Sequence, residues 1–202
     1  SYSADDVQRT QMYKDNQKRH EMQISCDNYE EYLYSLQMQA EIKTFEPLHV
    51  ARIAQLTNKS NQFNLTTKRY TVEDIEQVMY DKGMIGIYGR LKDCFGDNGI
   101  VSVVIAAIRE KECHIDLWLM SCRVLKRDME FAMMDALIQR CRDREVKQIY
   151  GYYYPTKKNG MVKEFYGLMG FEKVDETEER ILWKYDIPSE YEKKNKFITV
   201  ED

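Results

Sequence analysis

The chain has 202 residues, of which 43% are hydrophobic and 32% charged, and its formal net charge is −4. This length suits one medium domain, or a compact domain with an N-terminal arm. Since the charge balance is slightly acidic, no basic field is available to recruit nucleic acid or an anionic membrane. The longest apolar run, Ile100 to Ile108, is about half as long as a membrane-spanning helix. Neither a nucleic-acid partner nor a membrane segment is therefore expected.

The five cysteines are scattered along the chain: Cys26, Cys94, Cys113, Cys122 and Cys141. They form no C-x-x-C pair, and only three histidines accompany them, which argues for a reducing cytoplasm and against a metal site. The polar start shows no signal peptide. Because the first residue is Ser1 rather than Met, a further domain upstream is expected.

The first half of the chain predicts helices around one strand. Residues 4–23 favour a helix that is almost entirely polar, either solvated, a linker, or a surface for a neighbouring domain. A short helix is expected from Asn28 to Leu36 and a strand from Met38 to Phe45. Apolar residues from Val50 to Thr57 follow helical spacing, and the capping box Thr71-Val72-Glu73-Asp74 opens another helix.

Three strands are predicted next, Met84 to Leu91, Ile100 to Ile108 and Cys113 to Ser121. Turns at Gly96–Gly99 and Arg109–Glu112 separate them. Because the middle run is apolar at consecutive positions, it suits a strand covered on both faces of a sheet.

A strand–turn–helix unit then repeats. A helix is predicted from Arg127 to Arg144, a strand from Lys147 to Tyr154, a helix from Asn159 to Met169 and a last strand from Arg180 to Tyr185. The charged tail from Ser189 onward is expected to be loose.

The turn from Ser121 to Asp128 and the ending Phe165 to Phe171 resemble the GCN5-related N-acetyltransferase (GNAT) fold. We therefore predict an α/β (α+β) fold. It is a GNAT-like mixed sheet, largely antiparallel with a splayed parallel pair, with helices on both faces and an N-terminal helical arm.

In that fold the strand before the turn diverges from its parallel neighbour at a bulge, and the exposed backbone binds the pantetheine arm of coenzyme A like an added strand. The next helix N-terminus faces the pyrophosphate. The resemblance gives five cofactor contacts: Ser121, Cys122, Arg123, Arg127 and Asn159. The usual loop, R/Q-x-x-G-x-G/A, has glycine where this chain has Lys126 and Asp128. Alternatively, the turn only joins strand to helix, with Asp128 supporting the helix start.

The same resemblance makes Tyr166 a proton donor to the leaving thiolate, since a phenol can donate at neutral pH. Asn159 would hold the pantetheine or phosphate side. The alternatives are packing of Tyr166 on the sheet and helix capping by Asn159.

Further candidates come from the residues themselves. His114 and Asp116 alternate on their strand, opposite Ile115, Leu117 and Leu119, and could be a base with its orienting carboxylate, or simply polar residues at a strand end. Cys122 could be a nucleophile beside Arg123 or a small buried thiol.

Amides and hydroxyls crowd the loop from Ser60 to Tyr70. Groups that both donate and accept suit a polyol or a small oxygenated acyl group. The predicted acceptor contacts are Asn61, Gln62, Asn64 and Thr66. A capped turn is the alternative.

Several strings together resemble the C-terminal half of FkbH-like proteins, subfamily IIIC of the haloacid dehalogenase (HAD) superfamily. They are Asp6 to Tyr13, Ser60 to Thr71, Phe95 to Gly99, Leu119 to Arg123, Tyr152 to Asn159 and Phe165 to Phe171. The part from Asn61 to Thr67 is the most specific. The resemblance implies an upstream HAD-type domain that uses magnesium and makes glyceryl thioesters on acyl carrier proteins. This chain has no D-x-D-x-[TV] string, so phosphoryl chemistry and magnesium would belong to that other domain, with no metal here.

The sequence thus predicts an arm or linker at residues 1–36, a GNAT-like acyltransferase domain at 37–188 and a charged tail at 189–202. One hypothesis is a biosynthetic acyltransferase that binds acyl-CoA or carrier-protein phosphopantetheine for glyceryl or acyl transfer. The other is a degenerate, non-catalytic module that docks to, or presents substrate to, the HAD-type domain. Whether the chain is an enzyme stays open.

Overall fold

The protein is described here by a computed structural model that covers residues 3–201. The helices are α1 (Ala4–Ser25), α2 (Tyr29–Ser35), α3 (Val50–Lys59), α4 (Val72–Tyr80), α5 (Met129–Asp143) and α6 (Phe165–Leu168). The strands are β1 (Gln39–Thr44), β2 (Met84–Asp93), β3 (Gly96–Arg109), β4 (Glu112–Met120), β5 (Gln148–Tyr153), β6 (Glu172–Glu176), β7 (Ile181–Asp186) and β8 (Thr199–Glu201). Short 3-10 turns lie at Pro47–His49, Cys122–Val124 and Gly160–Val162.

One eight-stranded sheet runs in the order β6-β7-β5-β4-β3-β2-β1-β8. The β4–β5 and β1–β8 pairs are parallel, and the other pairs are antiparallel. Two apolar layers cover the faces, one under α3 and α4 and one under α2, α5 and α6. The predicted fold class is confirmed.

The N-terminal helices pack on the sheet domain. Ser3 and Asp6 form a capping box that begins α1, and Arg19 of this polar helix is buried in a bidentate ion pair with Asp93, at 2.6 and 2.8 Å. In α2, the side chains of Tyr32 and Leu33 are part of the apolar core. The division of the chain at residue 36 stays a prediction.

The β2–β3 turn differs from the expectation. The turn lies at Cys94 and Phe95, because the Asp93 carboxylate accepts hydrogen bonds from the amides of Phe95 and Gly96. The residues Gly96 to Gly99 therefore belong to β3, and Gly99 has a left-handed backbone with φ 68° beside a register shift.

The C-terminal third also differs in places. The helix expected from Asn159 to Met169 is split into a 3-10 turn and the four-residue α6. The edge strands β6 and β8 were not predicted, since all their residues are exposed and carry no buried alternation. The tail is anchored rather than loose, because Asp135 of α5 accepts hydrogen bonds from the amides of Lys194 and Asn195.

A bulge in β4 reverses its faces. Ile105 pairs with Leu117 while Ala106 pairs with Ile115, so Asp116 is an extra residue without an opposite partner on β3. Ile115 consequently joins the layer under α5, whereas Leu117 joins the layer under α3. The expectation that these two residues and Leu119 share a face was wrong.

No helix among the described residues is long and apolar enough to cross a membrane.

Candidate ligand site where β4 and β5 diverge

The parallel strands β4 and β5 separate as predicted. Their pairing ends at Ile115 and Gly151, just before the bulge at Asp116. Beyond this point β4 continues to Met120 without pairing to β5. In a sheet, such a gap exposes backbone donors and acceptors that an extended ligand can pair with.

The chain itself fills this gap with the segment Phe63–Thr66, which we name the wedge segment. The Leu65 amide donates to the Trp118 carbonyl at 3.1 Å, and the Met120 amide donates to the Phe63 carbonyl at 3.1 Å. On the other side, the Tyr154 amide donates to the Leu65 carbonyl at 2.9 Å. Leu65 is 0% exposed and Phe63 is 7% exposed. The segment thus pairs with β4 and is joined by one hydrogen bond to Tyr154, the residue that follows β5.

Asn159 locks the wedge segment in place. Its side-chain amide donates to the carbonyls of Asn64 and Tyr154, each at 3.0 Å. Its oxygen accepts from the Thr156 amide at 2.8 Å and the Tyr153 hydroxyl at 3.2 Å. Asn159 makes no helix-capping bond, which differs from that expectation. Its contact with a cofactor stays a prediction.

Two predicted acceptor contacts also serve the wedge segment. The Asn64 side chain donates to the Ser60 carbonyl at 3.2 Å and accepts from the Thr67 amide at 2.9 Å. The Thr66 hydroxyl donates to the Asp116 carbonyl at 2.7 Å. Asn64 is wholly buried and Thr66 nearly so. Their contacts with an acceptor stay predictions.

Tyr166 lies in the core. Its ring rests on the backbone of Gly151, where a Cβ would meet the ring at 2.7 Å. It is 0% exposed, and its hydroxyl has no hydrogen-bond partner among the described residues. Burial raises the pKa of this hydroxyl well above its ordinary value. A ligand cannot reach Tyr166 unless the surrounding core rearranges, and its role as proton donor stays a prediction.

The turn before α5 has left-handed backbone at the two positions where the usual GNAT loop has glycine. Lys126 and Asp128 both have left-handed backbones, with φ 59° and φ 78°, a conformation that glycine adopts most easily. The Asp128 carboxylate accepts from the amides of Lys196 and Phe197 at 2.6 and 2.9 Å, rather than capping α5. The Tyr29 hydroxyl donates to the Lys126 carbonyl at 2.5 Å. The start of α5 is therefore covered by the tail and by α2.

Arg127 points into the protein. Its guanidinium is buried 3.6 Å from the Asp93 carboxylate, which Arg19 already binds. Burial lowers the pKa of Arg127. The side chain shares the Asp93 carboxylate with Arg19 of α1, and its contact with a cofactor stays a prediction.

His114 and Asp116 have separate partners. The His114 Nδ1 atom lies 2.7 Å from the Tyr152 hydroxyl, and its ring stacks on Tyr150. Asp116 forms an ion pair with Lys68 at 3.5 Å. Burial, followed by the charge of Arg109, lowers the pKa of His114 and so disfavours the charged imidazolium. The predicted pair of a base and its orienting carboxylate does not form here.

Beside the wedge segment lies an open cavity of about 520 Å³, which we name the loop cavity. It brings together five of the predicted residues: Asn61, Gln62, Ser121, Cys122 and Arg123. The Cys122 thiol donates to the Gln62 side-chain oxygen at 3.3 Å, and the Arg123 Nε donates to the Ser121 hydroxyl at 3.2 Å. Asn61 is held by Arg69.

Sequence reasoning missed two cations of the loop cavity, Lys59 and Lys158. One ends α3 and the other precedes Asn159, 99 positions later, so only the fold brings them together. In the sequence, the doublet Lys157-Lys158 next to Asn159 was the one signal that could have indicated a cation at this site.

No family model and no curated protein matches the sequence, but solved structures do. The ribosomal-protein-S18-alanine N-acetyltransferase from Escherichia coli is 12% identical, with a TM-score of 0.56 over 76% of this chain and 97% of that one. The PaiA N-acetyltransferase from Thermoplasma acidophilum, solved in complex with coenzyme A, is 12% identical, with a TM-score of 0.54 over 73% of this chain and 99% of that one.

A GNAT-family acetyltransferase from Staphylococcus aureus is 10% identical, with a TM-score of 0.57 over 74% of this chain and 99% of that one. At such identities the likeness shows the fold alone. The chain has the GNAT acetyltransferase fold.

Proposed function

We propose that this chain is a GNAT-fold module of the FkbH-like type that does not take acyl-CoA into its sheet. It serves glyceryl or acyl transfer by docking to, or presenting substrate to, a HAD-type catalytic domain. The observation that carries the proposal is the wedge segment, whose residue Leu65 hydrogen-bonds to Trp118 of β4 and to Tyr154, the residue that follows β5.

A pantetheine arm would need the β4 backbone groups that the wedge segment already uses. Binding it would expose Phe63 and Leu65, at about 1.5–3 kcal/mol each, and would break three backbone hydrogen bonds of about 0.5–1.5 kcal/mol each. Even at the lower end of both ranges, the total of about 5 kcal/mol would weaken such binding by about 10³–10⁴-fold. Free acyl-CoA is therefore a poor ligand of this site.

The start of α5 supports the same conclusion. A pyrophosphate at this helix N-terminus would lie beside the Asp128 carboxylate and displace the tail residues Lys196 and Phe197. Charge repulsion and the lost hydrogen bonds both oppose that arrangement.

The resemblance to FkbH-like proteins supports the rest of the proposal. Its most specific string, Asn61 to Thr67, contains the wedge segment. Residues of that string stabilise the structure, because the Asn64 side chain hydrogen-bonds within the turn and Leu65 fills the gap. The most specific part of the resemblance is therefore the segment that fills the gap between β4 and β5.

A second candidate function is acyl transfer from a carrier-linked phosphopantetheine. The left-handed backbones of Lys126 and Asp128 favour it, because glycine adopts this conformation most easily and the usual phosphate loop has glycine at these two positions. The loop cavity opens beside the gap and contains Cys122 and Arg123. This function requires the wedge segment to leave its place.

Calorimetry distinguishes the two candidates. We would titrate the protein with S-acetylpantetheine, which has the thioester arm without phosphates, and with a carrier protein in its holo and apo forms. The proposed module gives no heat with S-acetylpantetheine and no difference between the carrier forms. The matched variant, Phe63→Ala with Leu65→Ala, opens the gap and should gain binding of S-acetylpantetheine. Binding by the unaltered protein would contradict the proposal.

A further inference from the structure

The loop cavity lies where the α3–α4 loop, the end of β4 and the turn after it meet. Its volume, about 520 Å³, falls in the range of small-molecule sites. Leu119 and Met120 of β4 give it an apolar wall, and Ser60 and Ser121 give it hydroxyls. It is separate from the start of α5, which the tail covers.

Its charged lining residues all carry the same sign. Lys59, Arg123 and Lys158 line the cavity, and no Asp or Glu does. Among the described residues these three cations form no ion pair, since each is absent from every salt bridge of residues 3–201. In a chain with net charge −4, this is a local concentration of uncompensated positive charge.

The neighbourhood adds to this positive charge. Burial, followed by the charges of Arg52 and Arg19, lowers the pKa of Arg123. Among the described residues, the Arg52 guanidinium contacts a side-chain amide, Gln55, and no carboxylate. An anion in the cavity would relieve the repulsion among these cations.

The neutral lining groups suit hydroxyls. Gln62 can donate and accept, and so can the hydroxyls of Ser60 and Ser121. Cations paired with such groups bind a phosphate at one end and hydroxyl oxygens at the other.

From this geometry we propose that the loop cavity binds a phosphate ester of a small hydroxylated compound. Lys59, Arg123 and Lys158 contact the phosphate, and Gln62 with Ser121 contacts the hydroxyls. This inference rests on the proposed function, because the ligand would be the substrate that the module presents to the HAD-type domain. It differs in site and in chemistry from a thioester arm between β4 and β5.

Cys122 provides a direct readout, because its exposed thiol lies in the cavity. In a Cys26→Ser, Cys94→Ser background, the other two cysteines, Cys113 and Cys141, are buried. We would measure the alkylation rate of Cys122 by iodoacetamide, alone and with saturating glycerol 3-phosphate or 4′-phosphopantetheine. Glycerol and pantetheine are the phosphate-free controls.

We expect glycerol 3-phosphate to slow alkylation fivefold or more, and the phosphate-free compounds to leave the rate unchanged. Protection by 4′-phosphopantetheine alone would indicate a carrier arm and would overturn the inference. Lys59→Gln with Lys158→Gln should abolish the protection. Lys157→Gln, an exposed neighbour outside the cavity lining, should retain it.

Equal rates with and without both phosphate esters would overturn the inference, as would equal protection by the phosphate-free compounds. This outcome is distinct from failure of the proposed function, which binding of S-acetylpantetheine between β4 and β5 would show instead.

Discussion

The Leu65 amide nitrogen lies 3.1 Å from the Trp118 carbonyl oxygen, and this hydrogen bond closes the gap that a GNAT fold leaves beside β4. Both side chains are 0% exposed. The pair therefore joins the α3–α4 loop to the centre of the sheet, and the properties of the candidate site depend on it.

Asn159 should be a major contributor to stability. Asn159→Ala removes four hydrogen bonds at a wholly buried position and leaves the carbonyls of Asn64 and Tyr154 short of a donor. We expect the free energy of unfolding to fall by about 2–4 kcal/mol in urea denaturation. Asn61→Ala, at a partly exposed position in the same loop, should cost less than about 1 kcal/mol. Equal losses would contradict the structural role of Asn159.

The two left-handed residues should respond differently to glycine. Lys126 is exposed, so Lys126→Gly relieves backbone strain of about 1–2 kcal/mol and loses some of this gain to chain entropy. We expect unchanged or slightly higher stability in thermal unfolding. Asp128→Gly also removes the carboxylate that binds the Lys196 and Phe197 amides, so it should be destabilising and should increase proteolysis of the tail. A tail equally resistant in both variants would count against this anchor.

Arg19 should hold α1 on the domain. Its guanidinium and the Asp93 carboxylate are 4% and 1% exposed, and breaking one side of such a buried pair costs about 3–5 kcal/mol. Arg19→Met should therefore destabilise the protein in urea and expose α1 to trypsin. Arg9→Met, at an exposed position of the same helix, should change stability by less than about 0.5 kcal/mol. Similar results for both variants would mean that α1 contributes little to the domain.

His114 predicts a pH dependence of stability. The folded protein lowers the pKa of this imidazole, mainly by burial, so below about pH 6.5 the unfolded chain takes up a proton that the folded chain resists. The free energy of unfolding should therefore fall as the pH drops from about 7 through the folded pKa. His114→Gln should show a flatter profile between about pH 7.5 and 5.5 in urea denaturation, whereas parallel profiles would rule out this contribution.

Local patterns predicted much of the fold. The capping box at Thr71 begins α4 as expected, with Asp74 closing it. The apolar run in β3 is covered on both faces, as its composition indicated. The bulge at Asp116 could not be placed from sequence, and one extra residue reverses every later side chain. This is why the predicted faces of Leu117 and Leu119 were wrong.

The candidate site was harder to predict because its decisive contacts are distant in sequence. The wedge segment has no strand-like alternation, and its partners Trp118 and Tyr154 lie more than fifty residues away. The amides of Asn64 and Asn159 suggested ligand contacts, but buried amides that satisfy backbone groups have the same appearance in a sequence. In contrast, Cys122 and Arg123 do lie at an open cavity, since they directly follow a strand end.

Amide hydrogen exchange tests the central claim most directly. In the protein without ligand, the amides of Leu65, Met120 and Tyr154 should exchange as slowly as that of Val103 in the core strand β3, because each donates within the filled gap. Addition of acetyl-CoA should leave these rates unchanged. Fast exchange at the three amides, with protection gained only when acetyl-CoA is added, would show an open gap that binds the pantetheine arm and would contradict the account.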